Sequence, residues 1–173
     1  MTRALHTERL ILRRPNGSDA AATTAFYQTE RAQYVGGNVP EFRAFSNFCA
    51  ILGHWEVRGY GLWAVTTKAS DDIIGLVGPY YPNGWPETEI GWLMFDGAEG
   101  QGYAAEAAKA AISDAYKTLG WTNIVHYIAH PNTRSVALAQ RLGAQLDPNA
   151  TMPKPEDPCF VYRQPPVSAG ATQ

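Results

Sequence analysis

Gly97-Ala-Glu-Gly-Gln-Gly-Tyr-Ala-Ala-Glu-Ala107 runs straight into an alanine-rich segment, and the apolar stretch Glu89-Ile-Gly-Trp-Leu-Met-Phe95 stands just before it. Read as strand, glycine-rich turn and helix, this order leaves backbone N–H groups without partners at the positive end of a helix. Such a cluster is an anion site, and pyrophosphate is its usual ligand. Glycines at 97, 100 and 102 remove the Cβ atoms that keep phosphate oxygens from the backbone. Asp96 and Glu99 stand beside the turn and repel an anion unless they point away.

The rest of the chain bounds what such a site can serve. Its 173 residues suit one domain with a single core, and 45% hydrophobic against 17% charged residues is a globular composition. A net charge of -2 leaves no basic surplus for a nucleic-acid backbone, so none is expected as partner. No apolar run approaches membrane-spanning length, and the charged opening from Met1 to Arg9 lacks the apolar core of a signal peptide. A cytoplasmic protein without a membrane partner is expected. Cys49 and Cys159 lack a C-x-x-C spacing and read as reduced, mostly buried thiols. His126 and His130 have no evident third ligand, so no metal is expected.

Working outward, residues 8–14 alternate charged and apolar side chains as a half-buried strand, and 20–29 form a short helix with Ala21, Ala25 and Phe26 inward. A second helix over 41–57 carries Phe42, Phe45, Phe48, Cys49, Leu52 and Trp55 at helical spacing and ends at Gly59. Strands over 60–67 and 73–80 flank the polar turn 68–72, and a third covers 88–95. The long helix spans 103–119 with Ala108, Ile112, Ala115 and Leu119 on one face. A strand at 123–129, a helix at 134–142 and short strands at 144–146 and 160–163 follow. A mixed α/β sheet packed by helices results, as one domain over 1–165 with a loose tail at 166–173.

The order of these motifs resembles the GCN5-related N-acetyltransferases (GNAT), and within them the ribosomal-protein and amino-acid branch. The resemblance covers Thr7-Glu-Arg-Leu-Ile-Leu-Arg13, Glu89-Ile-Gly-Trp-Leu-Met94, Gly100-Gln-Gly-Tyr-Ala-Ala-Glu-Ala107, and Asn132-Thr-Arg-Ser135 followed by Leu142-Gly143. It implies an α+β fold with a mostly antiparallel sheet of about seven strands, about four helices, and a V-shaped splay between the fourth and fifth strands. It also implies acetyl-CoA as co-substrate. The family's loop reads Gln/Arg-x-x-Gly-x-Gly/Ala; here Gly102 and Ala104 match the last two places, while Glu99 departs from the first. By resemblance the pyrophosphate meets the backbone of Glu99, Gly100, Gln101, Gly102, Tyr103, Ala104 and Ala105. Met94 and Phe95 then offer backbone groups to the pantetheine arm. Asn132 steadies that arm, or simply caps the helix after Pro131.

Acetyl transfer to an amine needs a neutral nitrogen, a polarised thioester carbonyl and a proton for the leaving thiolate. Glu89, opening the strand that leads to the slot, is the candidate base; a solvated strand-edge carboxylate is the alternative, and Glu87 a second candidate. The oxyanion falls to a backbone N–H near Met94 and Phe95. Many relatives supply a tyrosine acid seven residues after the asparagine, but that position is Ala139 here. Ser135 is the substitute, unless it is only a helix-terminal serine; Tyr103 and Tyr127 stay in the set. Glu106 is read as structural, at a helix N-terminus. Tyr34, Trp55, Tyr80, Tyr81, Trp85 and Trp92 flank the slot by resemblance, with Glu87 and Glu89 nearby. An aromatic and acidic mouth suits an amine-bearing small molecule, such as an amino acid, or a protein N-terminus. A monomer or homodimer is expected. A non-catalytic acyl-CoA-binding or sensing module on the same fold is the competing reading. A general nucleotide-binding domain lacks its P-loop or G-x-G-x-x-G.

Overall fold

Alternation decides which side of each strand is buried, and the computed structural model, which describes residues 3–165, shows it first in Leu10 and Leu12. Eight strands form one sheet in the order β1 (Ala4–His6), β2 (Leu10–Arg13), β3 (Trp63–Thr67), β4 (Ser70–Tyr80), β5 (Glu89–Met94), β6 (Val125–Ala129), β8 (Cys159–Arg163), β7 (Gln145–Leu146). Neighbours are antiparallel except β5 and β6, which run parallel and pair only at Glu89 and Val125. Beyond that one pair the two strands part, which is the expected V-shaped splay.

Helices cover both faces. α1 (Ala20–Tyr27) and α2 (Glu41–Arg58) pack on one, where Phe26, Ala44, Ile51, Leu76 and Leu93 share a cluster. α3 (Tyr103–Lys117) covers the other through Ala107, Ala108, Ala111 and Ala115, against Leu10, Leu12, Val65, Val77 and Ile90. Four fully buried alanines let its backbone lie close to the sheet. α4 (Thr133–Arg141) packs through Ala139 on Ile128 and Tyr162. Two 3-10 turns, Gly17–Asp19 and Glu30–Val35, complete the elements among the described residues.

Several expectations shift. The sheet gains β1, three residues too short to show a period of its own, held on β2 by the pairs Ala4–Arg13 to His6–Ile11. In α1, Thr23, Phe26 and Tyr27 face inward while Ala21 and Ala25 are exposed. In α2 the buried stripe is Ala44, Phe48, Ile51 and Trp55, whereas Phe42 and Phe45 are 69% and 52% exposed. Both stripes fit a helical period; the small Ala44 is the one that lets α2 close against its neighbours. Cys49 is exposed and Cys159 half-buried, both free. The tail assigned to 166–173 lies outside the described residues. No helix among the described residues is long and apolar enough to cross a membrane.

Candidate active site

The splay leaves a cavity of about 1200 Å³ between the end of β5, the N-terminal ends of α3 and α4, and the 3-10 turn Glu30–Val35. At its α3 end Gly97, Gly100 and Gly102 take φ of 80°, 71° and 80°, the left-handed region that glycine enters without strain. Among the described residues no acceptor takes the N–H groups of Glu99 to Ala105; the first α3 amide satisfied from the turn is Glu106, on Gly102 O at 3.1 Å. This is the cluster of free donors that the sequence implied.

The turn is fixed from outside the cavity. Arg9 Nη1 donates to Gln101 O at 2.9 Å, its Nε to Glu106 at 2.7 Å, and its guanidinium lies 4.7 Å from the Tyr103 ring centre. Glu106 also accepts from Thr7 Oγ1 at 2.6 Å and Arg9 N–H at 2.8 Å, so it ties the β1–β2 turn to α3. The Gln101 side chain closes the loop on Gly97 O at 2.9 Å. Nothing in the sequence marked Arg9 for this work.

Along β5 the ladder sorts the backbone. Phe95 N–H donates to Ile74 O at 2.9 Å, so it faces β4. By the alternation of an antiparallel ladder, Trp92 and Met94 turn their N–H and C=O groups toward the splay. Ile90 O receives His126 Nδ1–H at 2.6 Å and Met94 O receives Arg31 Nη2–H at 3.3 Å, both from that side. Of the two residues expected to serve the pantetheine arm, Met94 presents its backbone there and Phe95 commits its N–H to the sheet. The Phe95 ring instead stacks on Phe26 at 5.0 Å.

Asn132 Oδ1 accepts from Ser135 N–H at 3.2 Å and so caps α4, while also lining the cavity. Ser135 Oγ accepts Trp92 Nε1–H at 3.1 Å, which joins the two walls and leaves the hydroxyl proton free to donate. Met94, Glu99, Gly100, Gly102, Tyr103, Ala104, Ala105, Asn132 and Ser135 all line this one space; Phe95 and Gln101 do not. Ala139, where relatives place tyrosine, is fully buried in the α4 core.

Glu89 lies on the other face of β5, with Gly91 and Leu93. Its Oε2 accepts Trp85 Nε1–H at 2.8 Å. Desolvation lifts its carboxyl to about 7, against the lowering effect of the Trp85 bond. Around it stand Trp85, Tyr80 at 5.7 Å from Trp85, and Tyr127 at 6.2 Å from Trp85. Tyr127 Oη is buried with no hydrogen-bond partner, and burial followed by the nearby Glu87 and Glu89 raises its pKa, which keeps its proton. Glu87, by contrast, is held low by Arg163, with which it makes bonds of 2.6 and 3.0 Å, and works as a structural ion pair.

Two histidines, His54 and His126, are buried and neutral. His54 Nδ1–H donates to Tyr60 O at 2.8 Å and Nε2 accepts Tyr81 N–H at 3.0 Å, joining α2 to the end of β4. Burial lowers its pKa, and the ring belongs to the core. His126 is lowered to about 4 by burial, and Gln164 holds its Nε2 at 2.9 Å. Trp55 belongs to the core rather than the slot, with Nε1–H on Leu62 O at 2.8 Å. Among the described residues no group of three or more His, Cys, Asp or Glu is arranged to hold a metal ion.

Comparison with known proteins follows the same geometry. The model of the acetyltransferase (GNAT) domain matches residues 9–145. A crystal structure of an acetyltransferase from Agrobacterium tumefaciens is 36% identical, covers 95% of this chain and 95% of its own, and superposes with a TM-score of 0.87. An acetyltransferase (GNAT family) from Bacillus anthracis is 19% identical over 93% of this chain and 96% of its own, at a TM-score of 0.74. RimL, a ribosomal L7/L12 alpha-N-protein acetyltransferase, is 16% identical over 95% and 94%, at 0.72. The last two are similar in fold.

Proposed function

Because this chain belongs to the GNAT acetyltransferase family, we propose that it moves an acetyl group from acetyl-CoA to a primary amine by direct attack on the thioester. The observation that carries this reading is the row of unpaired N–H groups from Glu99 to Ala105, which opens into the same cavity as the slot-facing backbone of β5. The α3 amides take the pyrophosphate, and Met94 and Asn132 take the pantetheine amides. The N–H of Trp92 or Met94 is the donor for the thioester oxygen as charge develops there.

On the opposite face Glu89 is the base. A carboxyl near 7 is matched to an ammonium of pKa about 7.7–8.0, the value of a peptide α-amine, and takes its proton directly or through one water. The freed nitrogen forms the C–N bond and the C–S bond breaks; Ser135 passes its hydroxyl proton to the thiolate and regains one, through water, from the nitrogen, which sheds its second proton on becoming an amide. Trp85, Tyr80 and Tyr127 around Glu89 favour a cationic or amine-bearing acceptor. The likeness in fold to a ribosomal-protein acetyltransferase makes a protein N-terminus the first acceptor to try, ahead of free amino acids and other small amines. A cytoplasmic enzyme is the matching location. The test is acetyl-CoA turnover with thiol detection against a panel of peptides and amines; amine-dependent release of thiol supports the reading, and none with any acceptor refutes it.

A further inference from the structure

Arg31 comes from the 3-10 turn Glu30–Val35, far in sequence from α3, yet its guanidinium pairs with Glu99 across the cavity. The same Nη2 donates to Met94 O at 3.3 Å, and Nη1 lies 4.0 Å from the exposed Asp96. From the opposite wall, Arg134 in the first turn of α4 reaches the same Glu99 oxygen at 3.3 Å. Glu99, the residue that departs from the family pattern, therefore holds two guanidiniums over the free amides of the α3 turn.

Two consequences follow from that placement. Met94 O is one of the few backbone acceptors that β5 turns toward the splay, and Arg31 already occupies it. Arg31 and Arg134 are likewise both engaged by a single carboxylate oxygen of Glu99. A pyrophosphate carries more charge and more acceptor oxygens than one carboxylate, so it competes well for both arginines.

We propose that Arg31 is an anion-operated gate of the slot. At rest it bridges Glu99 and Met94 O; an arriving pyrophosphate draws it away and uncovers Met94 for the pantetheine arm. Arg134 is drawn from Glu99 in the same exchange. The phosphates thus open the slot for the rest of the same molecule, and a thiol carrier without them meets a closed one. This gate rests on the reading of the cavity as a CoA site.

The test is calorimetric titration with CoA and with pantetheine, which has the arm but no phosphate. In Arg31→Ala, CoA binding weakens about tenfold through the lost charge-assisted contact, while pantetheine binding tightens severalfold because Met94 is free. In Glu99→Gln, CoA binding tightens about tenfold as a like charge leaves the anion site. Opposite signs for the two ligands are what a merely structural Arg31 does not produce. Arg31→Gln gives the same split if truncation to alanine perturbs folding. Weakening of both ligands alike, or of neither, overturns the gate while leaving the CoA site intact. A wild-type protein that binds no CoA overturns the reading of the cavity, and the gate with it.

Discussion

The His126 imidazole holds Ile90 O at 2.6 Å across the point where β5 and β6 separate. One residue earlier the strands still pair, at Glu89 and Val125. The ring stands where the next rung of the ladder would be, tilted against Trp92 at 4.7 Å and braced by Gln164 on its other nitrogen. A buried carbonyl that loses its strand partner costs about 1–3 kcal/mol if left bare, and this side chain meets that need while keeping the strands apart.

His126 therefore sets an acid limit. It titrates near 4 in the fold against 6.5 for an unburied histidine, so the unfolded chain takes up the proton first. Its contribution is complete above 6.5 and falls as pH drops toward 4, by on the order of 3 kcal/mol across that window. Denaturant unfolding of His126→Phe at a series of pH values is expected to show lower stability at neutral pH and a shallower loss toward acid than wild type.

Glu89 runs the other way. Its carboxyl is near 7 in the fold and 4.5 unperturbed, so its contribution is complete below about 4.5 and is lost as pH rises to about 7. Glu89→Gln is expected to be more stable than wild type at pH 8, by on the order of 2 kcal/mol for a half-buried group, while its kcat falls by two or more orders of magnitude, roughly what a general base supplies. A variant with unchanged kcat across pH would remove Glu89 from the mechanism.

Gly91 lies between Glu89 and Leu93 on the acceptor face, and a Cβ there meets only Glu89 Oε1 at 3.8 Å and Leu62 Cδ2 at 3.9 Å. The backbone tolerates a side chain; the space in front of Glu89 does not gain from one. Gly91→Val is expected to fold at least as stably, because a β-branched residue suits a strand interior better than glycine. Steady-state kinetics should show KM for the amine up about tenfold, with KM for acetyl-CoA unchanged.

Gly102 precedes α3 at φ 80°, where an added Cβ has room but the backbone does not suit an L residue. Gly102→Ala is expected to cost about 1 kcal/mol in thermal unfolding and to weaken CoA, by tilting the amides of Tyr103 and Ala104.

Two of the candidate acids, Ser135 and Tyr127, separate by which ligand they touch. Ser135 lines the cofactor cavity, while Tyr127 lies with Glu89 on the acceptor face and has an unpartnered hydroxyl. Ser135→Ala is expected to slow thiol release with little change in the KM of the amine. Tyr127→Phe is expected to act on the amine's KM. Pre-steady-state thiol detection distinguishes them.

Sequence alone carried the strand–turn–helix of residues 89–107 well, because apolar alternation, three glycines and an alanine-rich period each report on local backbone. It carried the splay through the family resemblance. The inward faces of α1 and α2 were legible only at Phe26, Phe48 and Trp55, since Phe42, Phe45 and Cys49 obey the same period as Ala44, Phe48 and Ile51, and only the neighbouring surfaces choose between them. Arg9 and Arg31 were invisible for a related reason: Arg9 reaches Glu106, 97 positions away, and Arg31 reaches Met94, 63 positions away, and no spacing encodes such contacts. The burial of His54 and His126 was not legible either, because the carbonyls that satisfy them belong to other segments.

The central claim is tested most directly by incubating the protein with acetyl-CoA and a panel of N-terminal peptides and small amines, following free thiol and the mass of each acceptor together. At least one amine is expected to gain a single acetyl group in step with thiol release, and Glu89→Gln is expected to slow that gain by two or more orders of magnitude while still binding CoA. Wild-type protein that binds CoA yet releases no thiol with any amine would contradict it, and would mark the chain as an acyl-CoA-binding module instead.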